Sequence, residues 1–402
     1  MKADVVIGAG YGDEGKGLMT DFLVEQADEP TMVIRFNGGA QAGHTVVRDD
    51  CRHVFGHFGS GSLQGAPTYL SKFFVVNPLL YAKEQTELVN KGVAIPEVFI
   101  EQDALLTTPY DMLMNQILET ARDANRHGSC GVGFGETIER FVRQPESAIT
   151  AGLLGNYAEV KRRALMARDL VLARLELQLG KQQLNKASEQ LMNLLHSEDL
   201  LTNFLHNADY VYSFARVCNG WLTSAAAQKM HWVFEGAQGL KLDMDYGQFP
   251  YVTRSNTGLQ NVAHLLQGIE REVNVHYMTR AYKTRHGAGP LAHEGKPLPK
   301  VVDLTNFTNA FQGSLRFAPL DVDKLLSDIT CDVLNHGRGL NAKHNLCVTC
   351  MDQLNWASVD IVLNNKLITV QHSRMLAELN RMPALNLLCV SNGPAAKDLS
   401  YV

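Results

Sequence analysis

The chain has 402 residues, 45% hydrophobic and 20% charged, the balance of an ordinary globular enzyme with ample material for a buried core. A formal charge of −5 and a pI near 6.3 exclude overall charge attraction to long nucleic acid or an anionic membrane, and leave room only for a local basic pocket. No apolar run reaches membrane-spanning length, and seven cysteines at irregular spacings (51, 130, 218, 331, 347, 350 and 389) read as reduced thiols of a cytoplasmic protein.

The opening MKADVVIGAG enters an apolar strand directly and reads as a folded start rather than a signal peptide. ADVVIGAG ends in glycines and is followed by GLMTDFLVEQA, whose apolar positions recur every three to four residues, giving strand, glycine loop, helix. TMVIRFNGGAQAGHTVV repeats the scheme, with a strand ending at Phe36 and a second glycine loop. FFVVNPLL, EVFIEQDA, MHWVFEGAQG, VNVHYMTRAY, NLCVTCMDQL and LNLLCVSNGP supply further apolar runs that break into polar or glycine residues at their C-terminal ends. Strands alternating with helices, with loops of functional type after the strands, predict an α/β fold: a large open, mostly parallel sheet flanked by helices. Residues 157–206 read as a helical insertion, an amphipathic helix pair broken near Gly180. With no tandem repeat or low-complexity linker, residues 1–402 are taken as a single domain. CVTC at 347–350 has zinc or redox spacing but no second Cys or His pair, and reads as unliganded thiols.

GAGYGDEGKG, residues 8–17, nearly spells the phosphate loop G-x-x-x-x-G-K-[ST], with Gly10, Gly15 and Lys16 in register. Gly17 stands where the metal-binding hydroxyl belongs, so the missing ligand is expected inside the loop, from Asp13. Backbone N–H groups at such a helix start can hold phosphate oxygens, and Lys16 adds a point charge. NGGAQAGHT, 37–45, ends in His44 and Thr45; a histidine after glycines at a strand end can reach an anion and donate a hydrogen bond or proton. In 234–258, Gln238 has an amide suited to a base edge, and Thr253, Arg254, Ser255 and Asn256 offer donors to phosphate or sugar. AYKTRHGAGP and TNFTNAFQGSLRF carry Arg285 and Arg316, each able to pair with a carboxylate or phosphate.

In this order the clusters resemble the adenylosuccinate synthetase family, ligases that join L-aspartate to the 6-position of a purine nucleotide. GYGDEGKG resembles the family's W-G-D-E-G-K-G, NGGAQAGHTVV its G-G-x-N-A-G-H-T, AYKTRHGAGP its A-Y-T-T-R-V-G-A-G-P, and SNGP its S-T-G-P. The resemblance implies that Asp13 takes the N1 proton of a 6-oxopurine, that O6 attacks the γ-phosphate of a nucleoside triphosphate, and that the 6-phosphoryl intermediate yields to the aspartate amine. It implies His44 and Lys16 beside Asp13 in catalysis, and magnesium held by Asp13 and the Gly43 carbonyl. Gly12, Glu14, Gly15, Lys16, Gly17, Gly43, Thr45, Asp352, Ser391 and Pro394 are the implied nucleotide contacts. Asp13, Gln41, Cys130, Gln238 (purine), Thr253 (monophosphate) and Arg316 (aspartate carboxylate) are the implied substrate contacts. The implied partners are a purine nucleoside monophosphate, the triphosphate, L-aspartate and a second copy of the chain in a homodimer.

Five departures bear on the substrate. Cys350 replaces the lysine of the family's guanine-reading T-K-x-D, which opens the site to ATP as well as GTP. Cys130 and Val132 stand at a phosphate-contacting threonine and at the arginine lent across the dimer, with Arg140 and Arg143 nearby. Gln41 replaces an asparagine, and Ser314 an arginine that approaches ribose and aspartate. The first reading is therefore IMP as acceptor. The alternative is a 2-aminoadenylosuccinate synthetase using dGMP with ATP or dATP, as in some phages; those relatives resemble a version with a smaller residue where Asp13 stands, which favours IMP. A non-catalytic nucleotide-binding protein is the alternative of another class, and retention of Asp13, Lys16 and His44 argues against it.

Overall fold

A computed structural model describes residues 1–122, 128–180, 185–295, 301, 313–354 and 358–402. The 305–312 part of TNFTNAFQGSLRF lies outside the described residues. The strands are β1 Lys2–Gly8, β2 Thr31–Arg35, β3 His44–Arg48, β4 Cys51–Phe55, β5 Thr68–Leu70, β6 Val98–Glu101, β7 Arg216–Cys218 and β8 His231–Gly239. They continue with β9 Glu272–Arg280, β10 Tyr282–Arg285, β11 Arg316–Asp321, β12 Ala342–Thr349, β13 Val359–Leu363, β14 Lys366–Val370, β15 Asn386–Ser391 and β16 Leu399–Tyr401. Among the described residues ten of these form one sheet in the order β16-β15-β12-β9-β1-β8-β2-β5-β6-β7. Every pairing in it is parallel except β15 with β16. The expected large, mostly parallel sheet is what the chain builds.

Parallel pairing has a functional consequence. β1 sits between β9 and β8, so the carboxyl ends of β1, β8, β9 and β12 all open on one edge, where crossover loops leave a crevice. The interior strands are apolar on both faces, as helix-covered parallel strands must be: Val5, Ile7, Trp232, Phe234, Val275 and Tyr277 are buried on one face, Val6, Val233, Met278 and Cys347 on the other. Burying a side chain of this size contributes about 1.5–3 kcal/mol each.

Three features were not expected from the sequence. FFVVNPLL forms only isolated bridges, Gly39 with Val75 and Val76 with Leu106, before the helix Pro78–Asn90 begins. Asn77 caps that helix by accepting from Leu80 N at 3.2 Å, and Pro78 takes the first turn, so a helix start overrides the apolar run. A separate sheet, β10-β11-β13-β14, and a β3–β4 hairpin stand beside the main sheet. The 157–206 segment breaks near Gly180 as expected but gives three helices, Tyr157–Leu179, Lys186–Leu194 and Glu198–Phe214. Asn185 and Ser197 each cap a new start, and Val160, Val171, Leu175, Phe204 and Val211 bury against one cluster with Ile100 and Ile117.

Candidate active site

β1 runs out at Gly8 and the helix Lys16–Gln26 begins seven residues after Ala9, so the loop between them lies at the carboxyl edge of the central strand. Its turn needs glycine at position 15: φ is +88°, and a Cβ there would stand 3.1 Å from Thr349 at the end of β12. Thr349 Oγ1 in turn donates to Glu14 O at 3.1 Å, which ties β12 to the loop. On the other side a Cβ on Gly12 would stand 3.2 Å from Gln238 Cα, so the end of β8 lies against the same loop.

Lys16 is only 2% exposed. Its ammonium donates to Gly12 O and to Glu14 Oε2, the latter at 3.3 Å. Glu14 turns its other oxygen inward, accepting from Gly10 N at 3.0 Å and Gly12 N at 2.7 Å. Three donors thus converge on one anion, the arrangement a phosphate loop requires. Asp13 is half-buried, and its carboxylate makes no hydrogen bond among the described residues. Its backbone oxygen accepts from Arg280 Nε, an arginine at the end of β9.

His44 opens β3 and is buried against this loop: a Cβ on Gly17 would stand 3.0 Å from His44 Cβ and 3.1 Å from Thr45 O. Its Nδ1 lies 2.6 Å from Glu235 Oε1, on β8, while its Nε2 is buried without a partner among the described residues. Burial pushes the imidazole down to about 4, against the pull of Glu235. Burial also pushes the Glu235 carboxyl up, but the charges of His44 and Arg35 and hydrogen bonds from His44 and Ser60 outweigh it and hold it down to about 2. The pair therefore rests as a carboxylate and a neutral imidazole. Neither amide atom of Gln41 has a partner among the described residues, nor does Gln238 Oε1, although all three are buried. Both heads converge over Gly38, where a Cβ would stand 3.5 Å from Gln238 Oε1 and 3.6 Å from Gln41 Nε2. Buried amides left unpaired are costly unless something else bonds them. Gly43 is exposed.

The remaining residues fall into two groups. A Cβ on Gly128 would stand 2.7 Å from Ala288 N, which joins the Cys130 loop to the loop that Arg316 holds through Gly287 O at 2.8 Å and Gly289 O at 2.7 Å. Burial pushes the Cys130 thiol up to about 11, so it is a neutral donor or a packing group there. Arg316 also pairs with Glu294 at 2.7 Å, and a carboxylate ligand must compete for it. Thr253 is half-buried with its N–H on Leu242 O at 2.8 Å. Arg140 is fully engaged by Asp111 at 2.9 Å and by Ser147 O, leaving Arg143 as the exposed arginine of the helix Phe134–Arg143. On the far side, Cys350 takes φ +60° directly after Thr349, and Asp352 is exposed in the following turn. Ser391 is buried with Oγ on Gly393 O at 2.6 Å, Pro394 is exposed, and the bridge between Val47 and Ala395 sets their loop beside β3. No group of three or more His, Cys, Asp or Glu among the described residues could hold a metal by itself.

Sequence reasoning missed Glu235, Ser60, Arg280 and Thr349. Only Glu235 left a signal, as an acidic residue inside the apolar run HWVFEGAQG. An open parallel sheet with a glycine loop leading from its central strand into a helix defines a P-loop-like α/β protein. The family model described as adenylosuccinate synthetase matches residues 5–310, and the chain belongs to that family. It is 33% identical over 298 residues to the adenylosuccinate synthetase of Prochlorococcus marinus (strain MIT 9515), covering 72% of this chain and 63% of the relative. To that of Borrelia duttonii (strain Ly) it is 29% identical over 294 residues, covering 72% and 64%. The matched part thus spans less than two thirds of these curated relatives. Among solved structures, the fully ligated adenylosuccinate synthetase from Plasmodium falciparum shares the fold with a TM-score of 0.72 at 19% identity, over 99% of each chain. The cyanophage S-2L succinoaminodeoxyadenylate synthetase bound to dGMP and dATP does so with a TM-score of 0.63 at 14% identity, over 100% of this chain and 95% of that one.

Proposed function

We propose that the protein is a ligase that condenses L-aspartate with IMP through a 6-phosphoryl intermediate at the expense of a nucleoside triphosphate. The observation that carries this reading is the meeting of Asp13, Lys16, His44 and the unpaired amides of Gln41 and Gln238 at one edge of the sheet. Asp13, whose carboxylate makes no hydrogen bond among the described residues, takes the proton from purine N1 and raises the nucleophilicity of O6. O6 forms its bond to the γ-phosphorus as the bond to the β–γ bridging oxygen breaks. Lys16 and His44 Nε2 face the charge that develops there, and Lys16 must exchange Glu14 for phosphate oxygen. The aspartate amine then attacks C6, and the O6 oxygen leaves with phosphate. Arg316 receives the aspartate carboxylate, Thr253 the monophosphate, and the turns at Asp352 and Ser391 the triphosphate.

Magnesium suits the donors: a carboxylate oxygen of Asp13 and the Gly43 carbonyl are hard ligands, and this ion takes the rest of its shell from water and phosphate. When bound, it neutralises charge on the triphosphate. We further infer a cytoplasmic location, in keeping with seven free cysteines, and, from the family resemblance, a homodimer.

A second reading, dGMP as acceptor with ATP or dATP, is favoured by Cys350 at the base-reading turn and by Ser314 at the ribose-facing position. Phosphate release with L-aspartate, magnesium and each pairing of IMP or dGMP with GTP, ATP or dATP tests both. Release with IMP supports the first reading and release with dGMP alone the second. Silence with every pair leaves a nucleotide-binding protein without catalysis.

A further inference from the structure

Behind His44 lies a set of buried groups that the proposed reaction leaves unused. Glu235 Oε1 faces His44 Nδ1 at 2.6 Å and also accepts from Ser60 Oγ, while Oε2 accepts from Ser60 N at 3.1 Å. Arg35 Nε stands 3.9 Å from Oε2. His44 is 5% exposed, and Glu235, Ser60 and Arg35 are 0% exposed. They come from different elements: Glu235 from β8, Arg35 from β2, Ser60 from the loop after β4. Lys16, at the helix start, is the other charge that acts on the imidazole.

The chemistry of this arrangement is one-sided. A carboxylate can only accept hydrogen bonds, so the imidazole nitrogen facing it must be the donor. Ser60 donates twice to the same carboxylate and stops it from turning away. With Nδ1 occupied in this way, Nε2 is the ring atom left to a ligand, and it has no partner among the described residues. A buried charge is costly to keep where a neutral side chain of equal shape would pack as well; Arg35, whose Nε and Nη2 have no hydrogen bond among the described residues, supplies a counter-charge while its Nη1 donates to Phe58 O at 3.3 Å and its guanidinium lies over the Phe74 ring.

We propose that Glu235, anchored by Ser60, is the positioning residue of His44: it fixes the imidazole as the Nδ1–H form and turns Nε2 towards the transferring phosphoryl group. This rests on the reading of His44 as the residue that faces the triphosphate.

Two measurements test it separately from that reading. In the ligand-free full chain labelled with 15N-histidine, long-range 15N–1H correlation should show His44, identified by its absence in His44→Asn, protonated at Nδ1. A wild-type spectrum with the proton on Nε2 overturns the proposal whatever the activity. In the phosphate-release assay with the nucleotide pair that turns over, Glu235→Gln should lower kcat about 10–100-fold with KM for the triphosphate within about 3-fold. In the His44→Asn background the same change should cost less than about 2-fold. An equal loss in both backgrounds marks Glu235 as merely structural and overturns the proposal. Should Glu235→Gln fail to fold, Ser60→Ala keeps the counter-charge of Arg35; a smaller loss in kcat that vanishes in His44→Asn supports the proposal, and an unchanged kcat overturns it. Full turnover in His44→Asn would instead remove the catalytic reading of that residue, and the proton position alone would then decide the positioning claim.

Discussion

The closest backbone approach at the site gives the sharpest expectation. A Cβ on Gly239 would stand 2.4 Å from Gly10 O, 2.8 Å from Gly10 C and 3.0 Å from Gly8 O. All three are backbone atoms, of Gly8 at the end of β1 and Gly10 in the loop that follows it, so none can rotate aside. Gly239 itself has φ −153° and ψ 168°, open to alanine, so Gly239→Ala tests the contact and nothing else. Ordinary contact begins at 3.4 Å, and 3.4 − 2.4 leaves about 1 Å by which β8 and the loop must part. Overpacking of this kind costs about 1–3 kcal/mol. It also strains the bond from Lys241 N to Gly10 O, now 3.0 Å. A shift of about 1 Å between groups that must align on one phosphoryl transfer costs on the order of 100-fold in rate. Urea unfolding should show the lower midpoint and phosphate release the lower kcat. Gly135→Ala is the control: the nearest atom to its Cβ is Arg254 Cγ at 3.7 Å, and the position is helical, so stability should hold or rise by up to about 1 kcal/mol. Parental midpoint and parental turnover in Gly239→Ala would refute the claim that this approach sets the geometry of the loop.

Asp13→Ala should abolish turnover with an unchanged circular dichroism spectrum if, as proposed, one carboxylate serves as base and metal ligand; near-normal phosphate release would refute that assignment. Cys350→Lys should shift the triphosphate preference towards GTP, and an unchanged ATP/GTP ratio of kcat/KM would show that this turn does not select the base. Away from the site, Asp4 accepts from His231 Nε2 and His276 Nε2 at 2.7 Å each. Burial pushes its carboxyl up, but the two histidines outweigh that and hold it well below the usual 3.8. Because the folded value lies below the unfolded one, the contribution is complete above the unfolded value and is lost as pH falls below it. Asp4→Asn should cost on the order of 3 kcal/mol near neutral pH, with the gap to wild type shrinking from about pH 4 to about pH 2; a gap constant with pH would refute the linkage.

The sequence by itself determined whatever depends on a few neighbouring residues. Strand, glycine loop and helix over residues 3–26 follow from hydrophobic period and from glycines that permit the turn at Gly15, and the same local signals gave β2, β8, β9, β12 and β15. Asp13, Lys16, His44 and Gln238 were legible as candidates because polar residues after glycines at strand ends have few other uses. Tertiary structure alone decided which strand ends meet. Glu235 reaches His44 across 191 positions and Thr349 reaches Glu14 across 335, because strands joined by crossovers become neighbours in an order that periodicity does not encode. The β10-β11-β13-β14 sheet and the β3–β4 hairpin escaped notice for the same reason, since short strands are stabilised by partners rather than by their own pattern. FFVVNPLL shows the converse: its composition favours a strand, yet Asn77 and Pro78 satisfy a helix start, and hydrogen bonds settled what hydrophobicity left open.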